Sequence, residues 1–215
     1  MTYILYTMEN NKRKTLKGLS TIGVLSLTGC LDRLNPMQEQ DFNTDEQINI
    51  SLSDVAQNPN LTRYDLDFNV EIEKEIADEE SPPSIIVSVT NKDSTEIILT
   101  GKTRSVFGGE DDIDGNISLL ETNEWTKEQM VNTDCWRLRE EMPRPGTSYE
   151  TILRENETES VELNVIGNPN TSGCIQEGEF RFETNYNLIL PDVEGNEVVE
   201  EFTWGFILNI SKDTI

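Results

Sequence analysis

Histidine is absent from the sequence. Its absence removes the Ser-His-Asp arrangement of nucleophilic hydrolases and imidazole acid–base work near neutral pH. Histidine-bound copper and zinc go with them, and so does a blue-copper surface protein. Positive charge is scarce: 17 Lys and Arg stand against 41 Asp and Glu, for a formal net charge of −24. Such a chain repels nucleic-acid phosphates and anionic membrane surfaces, which excludes DNA or RNA as a partner. No Gly-x-Ser-x-Gly, phosphate loop or dinucleotide fingerprint occurs. Paired carboxylates are so common here that no single pair marks a glycosidase, which needs two at a defined separation. These absences predict a protein that is not an enzyme and carries no resident cofactor. No run is apolar and long enough to span a bilayer.

What is present begins near the N-terminus. Lys12, Arg13, Lys14 and Lys17 precede a short segment rich in Gly, Ser, Thr and Leu, which ends in Leu27-Thr28-Gly29-Cys30. That anatomy matches a signal peptide over residues 1–29, with a basic start and an apolar run of signal length. Met1–Thr7 fits it poorly, and Met8 offers an alternative start with an ordinary basic leader. Leu27-Thr28-Gly29-Cys30 resembles a lipobox, the signal after which the cysteine becomes the lipidated N-terminus. Lys12–Lys17 resembles a twin-arginine export signal, with Lys12 in place of one arginine and Thr15 in place of the usual Phe, so Sec export stays open. The competing reading is a buried N-terminal helix with a core cysteine.

The acidic balance allows two interpretations. High net charge with low hydrophobicity favours disorder, but alternating apolar runs in the second half oppose it. An acidic surface adapted to high salt fits better, because self-repulsion is screened within about 3 Å at 1 M salt. Taken with the lipobox, the chain resembles a lipoprotein of halophilic archaea. The resemblance implies lipid on Cys30 and a location at the outer face of the cytoplasmic membrane.

Residues 30–65 are polar, rich in Asn, Gln and Asp, and read as a tether with one ordered segment near Ile48 to Val55. The folded domain is expected over 66–215. Leu66, Phe68, Val70 and Ile72 alternate with polar residues at the period of a half-buried strand. Ile85 to Val89 form a second strand after Pro82-Pro83, with Ile97 to Leu99 as a hairpin partner. Ile117–Leu120, Cys135–Arg139, Tyr149–Leu153 and Val161–Val165 are further strand candidates, and Glu124–Asn132 suggests a helical turn. The end of the chain is clearest. Phe180, Phe182, Tyr186, Leu188 and Leu190 share one face, and so do Val198, Phe202, Trp204, Phe206, Leu208 and Ile210, with Pro191, Gly195 and Asn196 between them. Two long strands with aromatic faces need a second sheet to cover them. The expected fold is therefore all-β, an immunoglobulin-like β-sandwich. Cys135-Trp136-Arg137, Pro145-Gly146-Thr147 and Gly178-Glu179-Phe180-Arg181-Phe182 add a faint resemblance to bacterial proteinase-inhibitor-like domains of immunoglobulin type, which supports the fold more than an activity.

If lipid occupies Cys30, Cys135 and Cys174 remain as a pair in an oxidising compartment. A disulfide between them would stabilise the fold by about 4 kcal/mol in the chain-entropy account. Strand alternation puts Trp136 in the core and the disulfide on the outer face. Residues 110–121, EDDIDGNISLLE, resemble the calcium loop of EF-hands: Glu110, Asp112, Asp114, Asn116 and Glu121 occupy ligand positions around Gly115. Glu at the first position and non-helical flanks favour the other reading, a solvated hairpin turn. Asn49, Asn60, Asn116, Asn156, Asn170 and Asn209 head glycosylation sequons. The expectation is a non-enzymatic binding or structural module of the cell envelope, attached to the membrane by lipid and contacting an envelope protein or glycan. An inhibitor or accessory subunit of an exported enzyme or transporter is the alternative, resting on the Arg137–Gly146 loop.

Overall fold

A computed structural model describes residues 46–56, 61, 64–103, 105–131, 135–142, 149–191 and 198–214. Cys30, the leader, residues 31–45 of the expected tether, and Pro143 and Pro145 lie outside the described residues.

Among the described residues ten strands make two five-stranded antiparallel sheets. The first sheet runs in the order β1 (Glu46–Val55), β10 (Val198–Thr214), β9 (Gly178–Ile189), β4 (Ile97–Gly101), β7 (Tyr149–Leu153). The second runs β2 (Leu66–Lys74), β3 (Ser84–Asn91), β8 (Thr158–Gly167), β6 (Ile117–Glu121), β5 (Glu110–Asp111). A single 3-10 turn, Lys127–Gln129, interrupts the strands among the described residues, within the segment expected to turn helically.

The long β9–β10 hairpin forms as its alternation requires. Phe182 faces Phe206 and Tyr186 faces Phe202 across the ladder. These side chains, with Trp204, meet the second sheet. Phe68 of β2 stacks on Trp204 at 4.7 Å between ring centres and lies 5.3 Å from Tyr186. Phe107 closes edge-on against Trp204 at 5.6 Å. Aliphatic residues extend the seam on both sides, with Ile85, Val87 and Val89 of β3 and Leu99 of β4 fully buried. Offset and edge-to-face rings gain about 0.5–1.5 kcal/mol per pair beyond the area they bury. Gly205 sits where a Cβ would come within 2.0 Å of the Phe182 carbonyl oxygen, so only glycine lets the hairpin strands close there.

Three expectations are corrected. First, the ordered segment expected near Ile48 to Val55 is a strand of the sandwich, which therefore reaches back to Glu46 within the stretch read as tether. β1 pairs with β10 from Glu46↔Thr214 to Val55↔Phe206. Ile48 and Ile50 alternate inward at the period of two and are buried, a run too short to stand out amid polar neighbours. Second, β4 is not the hairpin partner of β3. It pairs with β7 and β9 in the opposite sheet. Each strand buries its apolar face in the core from its own sheet, Ile85, Val87 and Val89 from β3 and Ile97 and Leu99 from β4. The crossing is fixed by Asn91, whose buried amide donates to the carbonyls of Thr95 (2.9 Å) and Leu153 (3.0 Å). Third, Val198 does not share the inward face of β10. A register shift between Val198 and Glu200 turns it outward opposite Ile189, as a bulge does.

Candidate functional site

The region between β4 and β7 holds the least regular structure and the most specific polar contacts. It begins with residues 110–121, where a calcium loop was weighed against a hairpin turn. Asp112 is buried, and its carboxylate accepts the backbone N–H groups of Asn116 (2.5 Å), Ile117 (2.6 Å) and Asp114 (3.2 Å). Its own backbone N–H donates to the Ile117 carbonyl at 2.9 Å. Gly115 takes φ +71°, the left-handed turn that glycine adopts without strain. This is a hairpin turn from β5 to β6, stabilised by an aspartate that serves its own backbone.

The other proposed ligands go elsewhere. Glu110 accepts the Thr184 hydroxyl of β9 at 3.0 Å. Asp114 is exposed, and Glu121 lies at the far end of β6, paired with Leu163. Among the described residues no three Asp, Glu, Cys or His side chains are gathered closely enough to hold a metal ion. An EF-hand converges its ligands by winding a loop between two helices. Here the flanks are two paired strands, with Glu110 opposite Leu119, instead of helices.

Cys135 and Cys174 form a disulfide, with Cα atoms 4.7 Å apart and a sequence separation of 39. Its setting differs from the expectation. Residues 135–139 are not a strand. Only Arg137 and Leu138 make isolated bridges, to Gly167 and Met130. Cys135 is fully buried instead of lying on an outer face. The alternation breaks because Trp136 adopts φ 44°, a left-handed conformation that costs a bulky residue of order 1–3 kcal/mol. The strained backbone seats Trp136 in the core, as expected, where it donates through Nε1 to the Asp78 carbonyl at 3.0 Å and meets Trp125 edge-on at 5.7 Å. Asp78 in turn accepts Lys74 Nζ at 2.8 Å, and the N–H groups of Glu80 and Ser81 at 2.8 and 2.9 Å. The lysine first, and then these backbone donors, hold its carboxyl down at about 2.

The hairpin turn and the disulfide loops enclose a cleft of about 760 Å³. One wall is the β5–β6 hairpin with Asp111, Asp114, Ser118 and Leu120. A second is Leu138, Glu141 and Met142, and a third is Asn168, Pro169 and Asn170. The disulfide joins the chain segments that supply the second and third walls. Their polar groups are tied together. Ser118 donates to Asp111 Oδ1 at 2.7 Å, Asn168 Nδ2 donates to Ser118 Oγ at 3.4 Å, and Asn170 Nδ2 donates to Glu141 Oε1 at 2.8 Å. Arg137 reaches across beneath the cleft to the Thr171 carbonyl. Three carboxylates, two amides and a hydroxyl line the cleft beside Leu120, Leu138 and Met142, with no cationic side chain on the wall among the described residues. Such a lining suits a ligand that donates hydrogen bonds and carries an apolar portion.

Of these residues, Asp114, Gly115 and Ser118 fall within the calcium-like stretch 110–121, Asn170 heads a sequon, Leu120 lies in a strand candidate, and Leu138, Glu141 and Met142 lie in the Arg137–Gly146 loop. Glu141, Met142 and Asn168 are brought to one place by the disulfide and the β6–β8 pairing, and no local pattern signals them. The Arg137–Gly146 loop, on which the inhibitor reading depends, is described only as far as Met142. The chain matches no protein-family model, no curated protein and no solved structure. No helix among the described residues is long and apolar enough to cross a membrane.

Proposed function

We propose that this chain is a non-enzymatic, lipid-anchored binding module of the cell envelope, carried on an immunoglobulin-like sandwich and exposed outside the cytoplasmic membrane. The disulfide is the observation that carries this reading. Disulfides persist in oxidising compartments and are rare in the cytosol. Pairing Cys135 with Cys174 also accounts for two of the three cysteines and leaves Cys30, the residue at the end of the lipobox-like sequence, as the third. Two antiparallel sheets joined by a chain that crosses between them support the immunoglobulin-like arrangement. The net charge of −24 supports a surface that works in high salt. In this reading the cleft is the ligand contact, with walls held in place by the disulfide.

The test is detergent phase partition of the C-terminally tagged full chain, compared with Cys30→Ser, in the cells that make it. The native chain is expected in the detergent phase and the variant in the aqueous phase. Equal partition of the two would overturn the anchor. Non-reducing peptide mapping of the same material reports whether the exported protein carries the Cys135–Cys174 bond.

A further inference from the structure

The outer face of the first sheet is polar along most of its length. Arg181 pairs with Glu183, and Asn185 accepts the Thr203 hydroxyl across the hairpin. One row departs from this. Ile152 of β7 lies opposite Ile98 of β4, Ile98 lies opposite Ile189 of β9, and Ile189 lies opposite Val198 of β10. Four aliphatic side chains thus stand in line across four adjacent strands. Ile152 is 46% exposed and Val198 is 40% exposed, with Ile98 and Ile189 half-buried between them. At about 4.8 Å per strand the row runs roughly 14 Å. Val198 joins it only because the β10 bulge turns it outward.

The row beside it is polar and acidic at both ends: Glu150, Thr100, Asn187 and Glu201 lie opposite one another on the same four strands. Just past the aliphatic row, Arg154 is already engaged by Glu96 at 3.2 Å and Glu157 at 3.6 Å. The surface is therefore a flat apolar bar flanked by negative charge. A second copy would set Glu150 and Glu201 against like charge on a chain of net charge −24, and an anionic lipid surface meets the same repulsion.

We infer that this row is the docking surface for a separate protein, one that presents an aliphatic stripe flanked by Lys or Arg. Burial of the bar supplies affinity, and the flanking carboxylates select a basic partner and speed its encounter. This surface is distinct from the cleft and does not depend on the lipid anchor.

The experiment is photocrosslinking in intact cells. The full chain carries p-benzoylphenylalanine at position 98 or, as a control, at position 162 on the outer face of the second sheet. The expected result is one product from position 98, absent from position 162, whose crosslinked peptide combines aliphatic residues with Lys or Arg. With that purified protein, Ile98→Asn together with Ile189→Asn should weaken binding tenfold or more. Glu150→Gln together with Glu201→Gln should slow association severalfold and flatten its salt dependence. The carboxylate pair is exposed and leaves folding intact, so it keeps the test open if the aliphatic variant unfolds. Crosslinks to a second copy or to lipid, equal products from both positions, no product, or affinity unchanged in the carboxylate variant would each overturn the proposal.

Discussion

The β9–β10 hairpin and the β5–β6 region solve the same problem by different means. The hairpin is stabilised by repetition: the inward face is large and apolar at most alternate positions, and Phe182, Tyr186, Phe202, Trp204 and Phe206 each find another ring across the sheet or across the seam. The β5–β6 region, with the loops around Trp136 and Asn168, has few such residues. It is held by single contacts that cannot replace one another: one aspartate serving three N–H groups, one disulfide, one strained tryptophan. A repeated pattern spreads its stability widely. A region built from unique contacts can shape a cleft, but each contact carries a large share of the local order.

The comparison breaks most severely if the seam is cut. Trp204→Ala removes the ring that meets Phe68, Phe107 and Phe206, and should destabilise the whole fold by about 3–5 kcal/mol in urea denaturation, with all probes moving together. Replacing Cys135 and Cys174 together by Ala should cost less, about 2–4 kcal/mol. Its effect should be local first. Hydrogen exchange should quicken over 135–142 and 168–176 while β9 and β10 stay protected. Uniform exchange across both regions would show that they are one cooperative unit.

Asp112→Ala leaves three backbone donors without their acceptor, which should cost about 1–3 kcal/mol. The same variant separates the hairpin turn from a calcium loop. Added calcium should leave the melting temperature of the native chain and of the variant unchanged. The smallest effect concerns Asp78. Its folded value of about 2 lies below the ordinary 3.8, so its stabilising contribution is complete above the ordinary value and is lost as pH falls through about 2. A carboxyl NMR titration should find that midpoint, and Lys74→Met should return it toward 3.8.

Legibility followed the same division. The alternation of Phe180, Phe182, Tyr186 and Leu188 survives in the sequence because strand period acts on nearest neighbours. Trp136 was placed in the core correctly, yet on a strand that does not exist. Its surroundings are set by the bond from neighbouring Cys135 to Cys174 and by the Asp78 carbonyl, and both Cys174 and Asp78 are far away in sequence. The calcium-like pattern over 110–121 shows the same limit: ligand spacing in a list of residues says nothing about whether the flanking chain converges them.

By itself, the sequence determined the all-β character, the aromatic hairpin, the absence of histidine chemistry and the acidic surface, since each depends on composition or on a period of two. Tertiary structure alone decided that β4 crosses to the other sheet, that Glu46–Val55 closes the first sheet, that a cleft forms beside the disulfide, and that Val198 completes an exposed aliphatic row. Those outcomes turn on which distant surfaces bury the most apolar area against each other. A single bulge in β10 changes the answer without altering the local pattern.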